Sequence, residues 1–227
     1  MSVTSFPELH LVEMWAIFSA SEPHPLEVRS IWPAGIKPAK PTLSRVFDPA
    51  VYQDFLAFCI AVEAYVAAQN MLGYNMYATL NPIRHDLGRD QSASDRDVLC
   101  RRRLLVDIDR DHGKEHPASD AEIEAARQLA DSIKQYLDDC GWPTPVRVMS
   151  GNGHHLIYRL DDLPNTDETT TAIREILRNL KATFSANGLC VDTTVSNASR
   201  VTKLPGTLAR RGTEIENHPY RVARIYE

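Results

Sequence analysis

Cysteine is scarce in this 227-residue chain: there are four, Cys59, Cys100, Cys140 and Cys190, scattered and without a Cys-x-x-Cys pair. That spacing argues against a disulfide framework and against a zinc-ligand set, so no zinc is expected and the thiols are expected to be reduced, as in a cytoplasm. Long apolar runs are also missing. None approaches the roughly 20 residues that span a bilayer, so no membrane partner is expected. The opening stretch MSVTSFPELHLVEMW has neither a basic n-region nor an apolar h-region, and no signal peptide is expected. Nor is positive charge in excess. Lys and Arg number 25 against 30 Asp and Glu, a net charge of −5, which argues against a protein that coats nucleic acid indiscriminately but leaves room for a local basic groove. With 43% hydrophobic and 24% charged residues and no low-complexity tract, the chain reads as a folded protein with a real core.

The first 50 residues are rich in proline, with a strand expected over 26–32 (LEVRSIW). An apolar helix is expected over about 49–70, opened near Asp48 with Pro49 in its first turn. YNMYATLNP, 74–82, reads as a strand, and 84–97 as a polar loop. The pattern then sharpens. RRLLVDID is a β-rich run ending near Arg110. SDAEIEAARQLADSIKQYLDDCGWP is a helix with a Ser119/Glu122 capping box, stopped by Gly141 and Pro143. VRVMS and HHLIYRL flank a glycine turn as a hairpin; a second helix is expected over about 167–187, stopped by Gly188; LCVDTTV is a last strand. The order β-α-β-β-α-β is the split βαβ, or ferredoxin-like, arrangement: an antiparallel sheet with both helices on one face and the other face open.

Residues two apart in a strand point the same way. Leu104, Val106 and Ile108 therefore share one face, and Leu105, Asp107 and Asp109 the other. Two neighbouring carboxylates repel unless a cation lies between them, so the pair is a natural seat for Mg²⁺ or Mn²⁺. A strand end running into an acidic loop (Asp107, Asp109, Asp111) produces the same letters. Asp192, in the last expected strand, is a third candidate, since it can reach the same end of the open face; it also suits the cap of a turn.

Ser150, Gly151, Asn152 and Gly153 form a turn whose amides can make an anion-binding nest, although most such turns only close hairpins. After it, alternation separates two adjacent histidines. His154 goes with Leu156 and Leu160 toward the core; His155 goes with Ile157 and Arg159 toward the carboxylate face. Arg200 and Lys203, three apart after Asp192, suit phosphates, or belong to an ordinary basic loop. The other basic clusters, Arg101 to Arg103 and Arg210, Arg211, Arg221 and Arg224, are equally compatible with a solvated face.

Taken together, LLVDIDRD, PASDAEIEAA, GWPTPVRVMSGNGHHLIYRLDDLPN and VDTTVSNASRVTKLPGTLARRG, in that order, resemble the catalytic core of the archaeo-eukaryotic primase superfamily. The wording is most similar to the primase-polymerases of phages, plasmids and other mobile elements, and the likeness runs from about residue 26 to the end. It implies an α+β fold: a ferredoxin-like or RRM-like catalytic part over 99–227 with an N-terminal α/β part over 1–98 packed against it. It implies a DNA primase or DNA-directed polymerase, a nucleotidyltransferase acting in replication of a mobile element in a prokaryotic or phage-infected cytoplasm. Asp107, Asp109 and Asp192 would be the catalytic carboxylates holding two Mg²⁺ or Mn²⁺ ions. Ser150, Gly151, Asn152, Gly153, His155, Arg200 and Lys203 would bind the nucleotide triphosphate, and Tyr77 is a candidate sugar gate. The implied partners are a single-stranded DNA template, a primer strand, ribo- or deoxynucleoside triphosphates and, on the same or another chain, a helicase. The chain departs from the family at His154, where an aromatic is frequent, and in NHPYRVARI, which fits the closing basic segment loosely; no zinc-ligand set is visible, so a primase zinc module is expected to be absent or on another chain, and no helicase domain is seen to follow in these 227 residues. Two rival readings are a metal-dependent nicking replication initiator and a catalytically silent single-stranded nucleic-acid-binding module. The first usually spaces its histidines by one residue; here they are adjacent.

Overall fold

The computed structural model describes residues 11–18, 23–33, 38–113, 115–185 and 188–227. The first sheet is antiparallel, β2-β1-β3-β8, from β1 (Leu26–Ile31), β2 (Thr42–Phe47), β3 (Asn75–Thr79) and β8 (Val201–Lys203). The second is β11-β5-β6-β4-β7, from β4 (Cys100–Arg110), β5 (Val146–Met149), β6 (His154–Pro164), β7 (Leu189–Val191) and β11 (Arg224–Ile225). Helices α2 (Asp120–Asp139) and α3 (Asp167–Phe184) complete the expected β-α-β-β-α-β unit. The spatial order β5-β6-β4-β7 is the ferredoxin-like one, and the chain is an α+β protein. A separate short antiparallel pair, β9 (Leu208–Ala209) and β10 (Arg221–Val222), lies between β8 and β11 in sequence.

Local chemistry accounts for these elements. Ser119 Oγ accepts from the Glu122 amide at 3.3 Å, while Glu122 accepts from the Ser119 amide at 2.7 Å, so the capping box forms and starts α2. Ala126, Ala130, Ile133 and Leu137 on α2 and Ile173, Leu177 and Leu180 on α3 are buried at helical spacing. Beneath them lie Leu104, Val106, Ile108 and Leu156. The same apolar cluster continues into the first sheet and its helix, α1 (Phe55–Met71), through Phe58, Val62, Met76 and Ala78, so one core holds both sheets.

Several expected boundaries move. The helix expected from Pro49 starts at Phe55. Pro49–Val51 is a separate 3₁₀ turn capped by Asp48, the chain then extends at Tyr52, and Asp54 caps α1 by accepting from the Ala57 amide at 2.8 Å. The strands expected over 26–32 and 74–82 end at Ile31 and Thr79. The strand expected through LCVDTTV stops at Val191, because Asp192 takes up the Thr194 amide at 2.7 Å and opens a 3₁₀ turn, Thr193–Ser196. The second helix ends at Phe184; residues 186–187, where its end was expected, lie outside the described residues, as do residues 1–10, on which the reading of the N-terminus rests. Strands β2 and β8 were not anticipated. The second of these carries the chain back from the ferredoxin-like sheet into the first one. Among the described residues, no helix is long and apolar enough to cross a membrane.

Candidate active site

The two sheets face each other across a cavity of about 490 Å³. From the second sheet it is lined by Leu105, Asp107 and Asp109 on β4 and by His155 on β6. From the first it is lined by Tyr77 on β3 and Lys203 on β8. Strand alternation thus places both aspartates on the open face, while Leu104, Val106 and Ile108 are sealed below. Asp107 pairs with His155 in the β4–β6 register, and His155 Nε2 lies 3.4 Å from Asp107 Oδ1. The other ring nitrogen, Nδ1, lies 3.2 Å from Thr202 Oγ1 on β8, so the imidazole links the two sheets. Burial alone would raise the Asp107 carboxyl, yet His155, Arg211 and Arg200 hold it below the ordinary carboxylate range.

His154 goes the other way. It is buried, its ring lies 4.9 Å edge-on to Tyr226, and neither ring nitrogen has a hydrogen-bond partner among the described residues. Burial, with the His155 charge second, pushes its pKa down to about 4. It therefore packs as a neutral aromatic. Arg159, on the His155 side of β6, is exposed, pairs with Asp162 at 3.2 Å and does not line the cavity.

The glycine turn sits at the cavity edge. Ser150 donates its amide to Gly153 O at 2.9 Å, and Ser150 and Asn152 line the cavity whereas Gly151 and Gly153 do not. The Asn152 side chain accepts from the Ala118 amide at 3.0 Å, and the Gly151 amide points to Met149 Sδ at 3.0 Å. Gly151 has φ +101°, and a Cβ there would lie 2.3 Å from that of Ala209; a Cβ on Gly153 would lie 2.2 Å from the Ile108 carbonyl oxygen. Both glycines are required for the turn to close against β4 and β9.

Arg200 and Lys203 both line the cavity. Arg200 is oriented by Asn197 Oδ1 at 3.0 Å and the Thr194 carbonyl at 2.7 Å. Lys203 is buried, with Nζ 3.3 Å from Leu208 O and 5.5 Å above the Tyr77 ring. Burial and then the Arg210 charge lower its pKa well below the usual lysine value. The Tyr77 hydroxyl is pushed up by burial.

Asp192 stands apart from the pair. Its amide donates to the Asp107 carbonyl at 2.8 Å, which ties the backbones together, but its carboxylate caps Thr194 and does not line the cavity. Conversely, Arg211 is a site residue that strand and helix periodicity did not reveal. Its Nη1 donates to both Asp109 oxygens, at 3.1 and 2.8 Å, across 102 positions of sequence. The only hint was the Arg210-Arg211 doublet, which follows a Pro205-Gly206 turn able to send the chain back to β4. Asn75 was also missed. Its side-chain amide makes two 2.7 Å hydrogen bonds to the Arg210 backbone and fixes that doublet at the cavity wall.

Two carboxylates share the cavity with three guanidinium groups, Arg200, Arg210 and Arg211, and with the Lys203 amine, a balance suited to an anionic ligand. The donor chemistry of Asp107 and Asp109 fits a hard divalent cation, since both present oxygen acceptors on one face, although Arg211 occupies the oxygens of the second. Among the described residues, no third His, Cys, Asp or Glu completes a ready-made metal cluster with them.

No family model matches the sequence, and no curated protein does. Solved structures do match the fold. The AEP domain of a cyanophage S-2L primase-polymerase aligns over 96% of this chain and 88% of that one at 15% identity and a TM-score of 0.49. The primase RepB′ aligns over 96% of this chain and 56% of that one at 11% identity and a TM-score of 0.53. The polymerase domain of Mycobacterium tuberculosis ligase D, in complex with DNA, aligns over 95% of this chain and 78% of that one at 18% identity and a TM-score of 0.54. At these identities the likeness is one of fold alone, and the chain shares its fold with the RepB′ primase and the ligase D polymerase domain.

Proposed function

We propose that this chain is a metal-dependent, template-directed nucleotidyltransferase, a DNA primase and polymerase serving replication of a phage, plasmid or other mobile element, with residues 1–98 and 99–227 acting as one catalytic unit. The observation that carries the reading is the Asp107–His155 pair at 3.4 Å in a cavity that also holds Asp109, Arg200 and Lys203. The likeness in fold to a primase and to a polymerase domain in complex with DNA supports it, and a DNA template and primer would be the substrates.

Asp107 and Asp109 would hold Mg²⁺ or Mn²⁺. Asp192, whose backbone is anchored to Asp107, would join them by exchanging its Thr194 cap for the ion. Ions bound there would supply Lewis-acid activation of the 3′-hydroxyl and charge stabilisation at the α-phosphorus. The residues of the chain bind and orient. Arg200, Lys203 and the Ser150 hydroxyl would receive the triphosphate oxygens, and His155 would donate Nε2–H to one of them; Gly151 and Gly153, which do not line the cavity, shape the turn instead. Tyr77, half-buried in the cavity wall, would lie against the sugar. The primer 3′-oxygen would form the new bond to the α-phosphorus as its proton passes to solvent water, and the bond from that phosphorus to the bridging oxygen would break as pyrophosphate leaves.

The test is incorporation of ribo- and deoxynucleotides on primed and unprimed single-stranded DNA with Mg²⁺ and with Mn²⁺. Templated extension is expected. Cleavage of labelled DNA, or a covalent adduct, without nucleotides would establish the nicking initiator instead; DNA binding with no incorporation under any condition would establish the silent module.

A further inference from the structure

The polar loop between Pro82 and Leu99 has no part in the chemistry above, yet it is built as a platform. An Ile83–Val98 bridge and a Leu99 amide to Pro82 carbonyl hydrogen bond at 2.9 Å close its base. Arg84 and Asp97 pair at 2.8 Å, Asp97 closes a capping box with Ser94, and Asn165 donates to the Asp95 and Val98 carbonyls at 2.7 and 3.0 Å. Asp95 is exposed, but it stands on fixed backbone.

Its Oδ1 accepts from three donors of the segment that leads into Arg200. These are the Ser199 amide at 2.8 Å, the Ser199 hydroxyl at 2.7 Å and Asn197 Nδ2 at 3.3 Å. The last contact decides which way the Asn197 amide faces. A carboxylate only accepts, so Asn197 must turn its nitrogen to Asp95, which turns its oxygen to Arg200. That oxygen accepts from Arg200 Nε at 3.0 Å, while Nη2 is held by the Thr194 carbonyl. Two edges of the guanidinium are fixed before any ligand arrives, and its charge already acts on Asp107.

We propose that Asp95 is a positioning residue for nucleotide binding: through Asn197 it sets the conformation in which Arg200 meets the triphosphate. The proposal rests on the reading of Arg200 as a triphosphate ligand. A long side chain ordered in advance loses its rotamer freedom on folding instead of on binding, which favours affinity.

The experiment uses the full chain as Asp95→Ala, Asp95→Asn, Arg200→Ala and the Asp95→Ala, Arg200→Ala double variant. Binding of a fluorescent nucleoside triphosphate is titrated with Mg²⁺, and KM and kcat for extension are measured beside it. Asp95→Ala is expected to weaken binding and raise KM about tenfold with kcat unchanged within about twofold. Asp95→Asn keeps an acceptor oxygen and recovers most of the affinity. In the Arg200→Ala background, Asp95→Ala adds less than about twofold, because the two act in series. Should Asp95→Ala melt below the assay temperature, Asn197→Ala cuts the same relay one link later and carries the same expectations. Unchanged binding in Asp95→Ala, or the same factor in both backgrounds, overturns the relay while leaving the role of Arg200 intact. Wild-type binding by Arg200→Ala overturns that role and the relay with it.

Discussion

His155 stands directly across from Asp107 on the neighbouring antiparallel strand, with Nε2 3.4 Å from Oδ1. Paired residues on adjacent strands have Cβ atoms about 5 Å apart, so the sheet sets this distance, not two flexible side chains. With Thr202 on its other nitrogen, the imidazole is held between the two sheets at the wall of the cavity.

Replacing that imidazole tests its role. His155→Ala is expected to raise the KM for nucleotide about tenfold, the loss of one charge-assisted hydrogen bond. Extension kinetics at saturating template check this, and an unchanged KM would remove His155 from the nucleotide site.

The Arg211 fork on Asp109 has a consequence for ion binding. The guanidinium and a divalent ion compete for the same two oxygens, 3.1 and 2.8 Å from Nη1. Arg211→Ala is therefore expected to bind Mn²⁺ several-fold more tightly without nucleotide, read from the spin-resonance signal of free Mn²⁺. Weaker binding would mean that Arg211 supports the ion site.

Gly153→Ala is expected to destabilise the protein by about 3 kcal/mol, as overpacking does. Its Cβ would lie 2.2 Å from the Ile108 carbonyl oxygen, next to the strand that carries Asp109. Urea denaturation measures the loss; a change below about 0.5 kcal/mol would contradict the close approach.

Acid sensitivity should follow His154. Its folded pKa is lowered to about 4 from 6.5, so between those values the unfolded chain binds a proton that the folded one does not. Stability from this group is complete above pH 6.5 and is lost as pH falls toward 4, by about 3 kcal/mol. His24, also held down to about 4 by burial, adds in the same direction. His154→Phe keeps a ring against Tyr226 and should flatten the pH dependence of unfolding between pH 6.5 and 4, leaving the His24 contribution. An unaltered slope would show that His154 is not the group that titrates.

How much of this could be read in advance depends on how local the signal is. The Ser119 cap, the helical spacing from Ala126 to Leu137 and the alternation of Leu104 to Asp109 are nearest-neighbour features, and the ferredoxin-like unit with its carboxylate face follows from them. His154 and His155 separate for the same reason. Strand β2 hides in a proline-rich stretch, where composition points to a loop. In TTV after Asp192, β-branched residues argue for a strand, but the aspartate cap competes for the backbone and wins. Arg211 and Asn75 reach their partners only through tertiary folding, over separations of more than 100 residues, and no periodicity carries that.

The most direct measurement is single-nucleotide extension of a primed DNA template under Mg²⁺ and Mn²⁺ by the wild-type chain and by the Asp107→Asn, Asp109→Asn double variant. The double variant keeps the shape of the cavity and removes both negative charges. Templated incorporation by the wild type and its loss by more than about 1,000-fold in a folded double variant is the predicted result. Incorporation by the double variant at the wild-type rate would contradict it.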